Sequence, residues 1–350
     1  MKYLPDDPVR LNDTKDAVVI IDQRKLPQKT EFLELKSEES MYDAIKTLAV
    51  RGAPCIGVFA GYCMAVLSLS EKKEETGTFE ENMQRHADRL NSSRPTAVNL
   101  SWALERQMSV IRKMKGAGAD SISAELFSEA ERIHEEDIGM CLRISENGLS
   151  LLKDGDGILT HCNAGALATT RYGTGLGPIL LGKERGYDFH VWSDETRPLL
   201  QGARLTAYEL ARAGVDVTVI CDNMANLCMS EGKIDAVLVG CDRVAANGDT
   251  ANKIGTGSLA VLAKHHGIPF YVLGPYSTID RNCRSGKDIK IELRDETEIS
   301  TLWYGEPLTV KGAKYYNPAF DVTDHSLITA IITDRGILYP PFDTSISEVM

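Results

Sequence analysis

The chain has 350 residues, a formal net charge of −11 and eight cysteines. That length exceeds the usual single domain and predicts two domains, while the acidic balance excludes a dedicated nucleic-acid or anionic-membrane surface and leaves any phosphate site to be built from few residues. There is no C-x-x-C pair, Met1 to Pro8 lacks an apolar signal core, and no run is read as reaching the roughly 18 uncharged apolar residues of a spanning helix, so reduced thiols in a cytoplasmic protein are expected.

In chain order, Ala17 to Asp22 and Glu31 to Leu35 read as short strands joined through a turn-prone Lys25-Leu-Pro-Gln-Lys29. Glu38 to Val50 has helical spacing through Met41, Ala44, Ile45, Leu48 and Ala49, and the break Arg51-Gly-Ala-Pro54 precedes an apolar helix from Cys55 to about Leu69. Residues 71 to 80 predict a surface turn. Ser92-Ser-Arg-Pro95 supplies a cap and an early proline for a helix through Trp102 and Ile111. A long polar helix, about Ser121 to Leu152, closes this half, with Glu129 to Asp137 as a solvated face.

Beyond residue 153 the period changes. Ile158 to Thr160, Phe189 to Ser193, Val215 to Ile220, Ala236 to Gly240 and Phe270 to Leu273 are short apolar runs alternating with helices, the mark of an α/β domain with a parallel sheet. Two domains are therefore expected, a mainly helical 1–153 with a small β element and a Rossmann-like 154–350. In such sheets ligands gather at the carboxyl ends of the strands.

Three of these ends carry candidate chemistry. Gly157 to Thr169 reads as a strand delivering Cys162 into a helix start, where unpaired N–H groups favour thiolate; the alternative is a small buried hydrophobe. Asp242 follows the strand ending at Gly240 and leads to Asn252 and Lys253, suited to phosphate oxygens near a helix start, although Asn247-Gly248 is also an ordinary turn signal. Asp194 to Leu205 places Gln201 near a helix beginning at Pro198, either as a hydroxyl or phosphate contact or as a solvent-facing residue. His161 beside Cys162 suggests a metal pair, but neighbours in a strand point to opposite faces and no partner recurs at zinc spacing, so no metal is expected. Gly173-Thr-Gly-Leu-Gly177 does not match G-x-G-x-x-G, and no nucleotide cofactor is expected.

Taken together, Val50-Arg-Gly-Ala-Pro54, Ser93 to Leu100, Leu159 to Ala168, Asp194 to Leu205 and Asp242 to Thr256 resemble the methylthioribose-1-phosphate isomerase family. The similarity runs from Asp22-Gln-Arg-Lys-Leu-Pro27 to Asn317-Pro-Ala-Phe-Asp-Val-Thr323. That family belongs to a wider group with regulatory subunits of translation initiation factor 2B and archaeal ribose-1,5-bisphosphate isomerase. The resemblance implies a helical amino-terminal domain on a Rossmann-like one, a homodimer, a sugar phosphate as substrate, and neither metal nor cofactor. It implies Cys162 and Asp242 as the catalytic pair and Arg51, Gly52, Ala53, Arg94, Gln201, Asn252 and Lys253 as substrate contacts in a cleft between the domains.

The implied reaction takes 5-methylthioribose 1-phosphate to 5-methylthioribulose 1-phosphate, in methionine salvage. Its cyclic acetal phosphate cannot open unaided, so an acid is needed at the ring oxygen, and Asp242 in apolar surroundings would serve. Cys162 then acts as base or supports a hydride shift; the sequence leaves both open. Cys241, Gly257, Arg171 and Tyr276 depart from the commonest family choices, which keeps 5-deoxyribose 1-phosphate open as substrate. A non-catalytic regulatory subunit, the rival from another class, fits poorly with an intact Cys162 and Asp242.

Overall fold

The structure, a computed structural model, describes residues 7–71, 78–94 and 98–348. Met1 to Asp6, most of the expected 71–80 turn and the early Pro95 lie outside the described residues. The chain divides into two compact units: the amino-terminal part up to Met140 together with Ala166–Gly173, and Cys141–Gly165 with the chain from Thr174 onward.

In the first unit β1 (Val9–Leu11), β2 (Val18–Ile21) and β3 (Phe32–Leu35) form an antiparallel sheet in that order. The three residues of β1 are too short to show alternation in sequence, whereas β2, fully buried, shows as an apolar run. Helix α1 (Glu38–Lys46) starts on a Ser37–Ser40 capping box and buries Met41, Tyr42, Ala44 and Ile45. It ends short of the expected Val50 because Leu48 turns the chain at φ 61°.

Helix α2 (Ala53–Glu71) corrects one expectation: with a mean hydropathy of 1.7 it is long and apolar enough to cross a membrane. Its apolar surface is instead core, with Phe59 and Met64 fully buried among α3 (Phe79–Ser92) and α4 (Val98–Lys113). The charged sequence of α3 hides its apolar seam, Met83, Ala87 and Leu90 at helical spacing. In α5 (Ala119–Leu149) the supposedly solvated acidic face is partly inside. Glu129 is buried against Arg106 and Arg132, and Asp137 accepts from Thr170 Oγ1 at 2.5 Å.

The second unit runs β4 (Gly157–His161), α6 (Gly177–Glu184), β5 (His190–Asp194), α7 (Ala207–Arg212), β6 (Asp216–Ile220), α8 (Ala225–Ser230) and β7 (Ala236–Val239). A hairpin of β8 (Arg243–Ala245) and β9 (Thr250–Lys253) follows, then α9 (Thr256–His266), β10 (Phe270–Leu273), β11 (Ile279–Asp280), α10 (Thr297–Ser300), β12 (Phe320–Thr323), β13 (Ala330–Thr333), β14 (Gly336–Leu338) and α11 (Phe342–Glu348). Among the described residues the main sheet has the order β14-β13-β10-β7-β4-β5-β6, parallel except at β14. Its central strands are buried end to end, which is why they read as apolar runs. A second sheet, β11-β8-β9-β12, takes in residues 243–253, where the sequence pattern predicts a loop leading into a helix.

Strand order positions the site. From β4 the chain steps to β5 and β6 on one side, and from β7 to β10 and β13 on the other, so the sheet reverses direction between β4 and β7. These two strands are direct neighbours, with His161 opposite Val239. A crevice at such a reversal, at the carboxyl ends, is where open α/β sheets bind ligands.

Candidate active site

Cys162 and Asp242 follow the two strands that flank this reversal. Cys162 is half-buried and holds φ 64°, a left-handed value that costs a non-glycine residue about 1–3 kcal/mol. The surroundings impose it. Its N–H donates to Thr196 Oγ1 at 2.8 Å, and its carbonyl accepts from Thr206 Oγ1 at 2.6 Å. This conformation ends β4 without starting an α-helix; only a 3₁₀ turn forms at Ala166–Ala168. The helix-dipole support expected for the thiolate is therefore absent at Cys162.

A cation supplies charge in its place. Lys253, at the end of β9, is 5% exposed, and among the described residues its ammonium has no hydrogen-bond or ion-pair partner, only the Phe320 ring at 5.9 Å. Burial pulls its pKa below the ordinary lysine value, opposed by the negative charges of Cys162 and Asp242. The hairpin folds Lys253 back toward the end of β7, with the Asp242 N–H donating to the Ala251 carbonyl at 2.9 Å. Asn252 is buried and donates to Thr256 Oγ1 at 3.1 Å. Both residues lie on a strand, three or four positions before α9, rather than at its start. Asp242 itself is exposed, so the apolar surroundings expected of a general acid are not provided by its own strand end.

Pro198 does not open a helix. Positive φ at Thr196 (64°) and Leu200 (55°) keeps the chain turning until a π-helical stretch, Gly202–Thr206, precedes α7. Gln201 sits immediately before that stretch, buried, and its Oε1 has no partner among the described residues. This orphaned acceptor is consistent with a ligand contact and not with the solvent-facing alternative. Gly202 is obligatory: a Cβ there would lie 1.6 Å from the Asp194 carbonyl.

In the amino-terminal unit, Arg51 and Gly52 precede α2 and Ala53 is its first residue. Gly52 has φ 90°, and a Cβ would meet the Ala168 carbonyl at 2.3 Å, so no other residue fits. Arg94, half-buried, follows α3.

Four residues around Cys162 were not singled out by the sequence, although Asp194 and Thr196 fall within the candidate stretch Asp194 to Leu205. Thr196 and Thr206 are common hydroxyl residues. Glu209 is fully buried on α7 and accepts from Asn163 Nδ2 at 2.8 Å; a Cβ on Gly165 would come within 2.4 Å of its carboxylate. Asp194 bonds His161 at 2.9 Å across two adjacent strands. Burial pushes Asp194 up to about 6, while His161 is held above its ordinary value by Asp194 against the opposing effect of burial.

Known proteins resemble this chain along nearly its whole length. The Initiation factor 2 subunit family matches residues 49–340. The chain is 56% identical over 342 residues to a 5-deoxyribose 1-phosphate isomerase of Petrotoga mobilis, covering 98% of both chains. It is 55% identical over 346 residues to a methylthioribose-1-phosphate isomerase of Symbiobacterium thermophilum, covering 98% of this chain and 96% of that one. In structure it resembles the 5-methylthioribose 1-phosphate isomerase of Pyrococcus horikoshii, with a TM-score of 0.92, 41% identity, and coverage of 99% and 97%.

Proposed function

Since the chain belongs to the Initiation factor 2 subunit family and, within it, to the aldose–ketose sugar 1-phosphate isomerases, we propose that it converts 5-methylthioribose 1-phosphate to 5-methylthioribulose 1-phosphate. The observation that carries this reading is the buried, unpartnered Lys253 ammonium with Cys162 and Asp242 as its charged neighbours. A largely buried lysine whose ammonium makes no hydrogen bond or ion pair among the described residues suits an anionic ligand, and the carboxyl and thiol near it suit acid–base work. Asn252 and Gln201 then serve as polar contacts, with Arg51, Gly52, Ala53 and Arg94 completing the set of substrate residues.

In this reading Asp242 protonates the ring oxygen as its bond to C1 breaks. The thiolate of Cys162 removes the C2 proton, giving an enol phosphate, and returns it to C1 while the enol hydroxyl proton goes back to Asp242. Both residues end as they began. Asp242, exposed in the chain as described, gains its acidity match when bound substrate excludes water. Turnover in D2O tests the path: deuterium at C1 of the product supports proton transfer through Cys162, whereas a direct C2-to-C1 hydride shift incorporates none, and full loss of turnover in Cys162→Ser separates a shielded proton transfer from that shift.

The second reading, 5-deoxyribose 1-phosphate as substrate, is favoured by the 56% identity to the Petrotoga mobilis protein. The two substrates differ only in a methylthio group against hydrogen at C5, a difference worth about 1–3 kcal/mol in an apolar pocket. Side-by-side kcat/KM values for these two compounds and ribose 1,5-bisphosphate decide. A preference of tenfold or more for the methylthio sugar supports the proposal, the reverse supports the second reading, and a preference for the bisphosphate overturns both. On the same reading the enzyme is a cytoplasmic homodimer, which sedimentation velocity and fractionation would check.

A further inference from the structure

His161 takes no part in the reaction just described, yet it is 2% exposed and fully bonded. Its Nε2 lies 2.9 Å from the Ile254 carbonyl, which can only accept, so Nε2 carries a hydrogen. Its Nδ1 lies 2.9 Å from Asp194 Oδ2, and one further proton sits between them. The ring also rests on Gly255, where a Cβ would come within 2.9 Å of Cε1. Ile254 adjoins Lys253, and His161 adjoins Cys162.

We propose that His161 is a positioning residue: its two N–H groups tie the end of β4 to the end of β5 and to the segment after β9, and so set the spacing between the Cys162 thiol and the Lys253 ammonium. The tie closes on itself. Asp194 accepts the histidine through its side chain, while its carbonyl accepts from Thr196 Oγ1 at 3.0 Å, and that same Oγ1 accepts the Cys162 N–H. Side chain and backbone thus fix the thiol from both sides. Strand β9 is held by its own pairing with β12, so the histidine tie fixes that strand's end against the end of β4, and a misplacement of about 1 Å between the two can cost ~100-fold in rate.

The link depends on the shared proton. Charged groups acting on the ring are Asp194 on β5, Asp222 after β6 and Asp321 on β12, and Glu195 acts on Asp194 in turn. Because the histidine is held above its ordinary value, the link is complete at low and neutral pH and is lost as pH rises through the raised value. Once that proton leaves, two acceptors face each other in a buried site.

This inference rests on the roles proposed for Cys162 and Lys253. The test measures kcat, KM and thermal midpoint of His161→Leu, His161→Gln and Asp194→Asn across pH 6 to about 9, a window spanning the ordinary histidine value. His161→Leu is expected to lose kcat by about 100-fold with a smaller change in KM. His161→Gln, which keeps one N–H for the Ile254 carbonyl, recovers about tenfold of that loss. In Asp194→Asn the amide donates to a neutral imidazole, whose Nε2–H still reaches Ile254, so the alkaline fall of kcat due to the pair disappears. If His161→Leu does not fold, the near-isosteric Gln and Asn variants decide alone. Full activity in folded His161 variants, or an alkaline limb unchanged in Asp194→Asn, overturns the inference. Should Cys162→Ser retain wild-type turnover, it is the site reading itself that fails.

Discussion

The amide N–H of Cys162 donates to Thr196 Oγ1 at 2.8 Å, and through that bond a residue of β4's end is held in a left-handed conformation it would not adopt alone. Thr206 completes the clamp from the carbonyl side. Thr196→Val and Thr206→Val are each expected to cost about 1–3 kcal/mol of stability, since either leaves a buried backbone group without its partner. Both should lower kcat more than KM, and Thr206→Ser, which keeps the hydroxyl, should restore activity. Urea unfolding with parallel steady-state kinetics checks this.

Cys162→Ser and Asp242→Asn are each expected to reduce kcat by about 10²–10⁴-fold, the range for losing a positioned acid or base. Sugar phosphate binding, followed by calorimetry, should persist in both. Near-wild-type turnover in either variant would remove that residue from the reaction.

Lys253→Met should trade function for stability. Burial holds the ammonium below its ordinary pKa, so the unfolded chain binds this proton more readily and stability rises with pH between the depressed value and the unfolded one near 10.4. Methionine removes both the penalty and its pH dependence. The expected result is a higher thermal midpoint with kcat/KM lowered by about ten- to a hundredfold, as for loss of one charged hydrogen bond.

Asp249 ties the β8–β9 turn to two later segments. It accepts from the Gly286 N–H at 2.9 Å, the His325 N–H at 3.0 Å and Asn247 Nδ2 at 2.9 Å. Burial alone would raise its pKa, but Asn247, the Gly286 and His325 amides and the His325 ring bring it down to about 2. Its stabilisation is therefore present above the unfolded value near 3.9 and is lost as pH falls toward about 2. Asp249→Asn should unfold at lower urea than wild type at pH 7, and the gap should narrow on acidification through that window.

Local pattern carried a large part of this protein into view. Apolar runs identified β4, β5, β6, β7 and β10 to within one or two residues; for β4, β7 and β10 the reason is that strands buried on both faces need continuous apolar sequence, while β5 and the part-exposed edge strand β6 kept enough apolar residues to be read. The polar segments after them stood out as candidate ligand segments because they sit at the carboxyl ends of parallel strands, with Cys162, Gln201 and Asp242 among them; Asn252 and Lys253 stood out too, but their place on strand β9 did not show in the sequence. Helix α3 was not, since three core residues were outvoted by eleven others in a charged stretch of 14.

What the tertiary structure alone decided is who stands beside whom. Nothing in an apolar run says that β7 pairs with β4, yet that pairing puts Cys162 and Asp242 on either side of the sheet's reversal. The β8–β9 hairpin buries Lys253 with no hydrogen-bond or ion-pair partner among the described residues, and the positive φ of Cys162 is set by two threonines 34 and 44 residues away. Composition and periodicity report on a residue's own burial; charge, strain and orientation at a site come from neighbours distant in the chain, and only the fold brings those together.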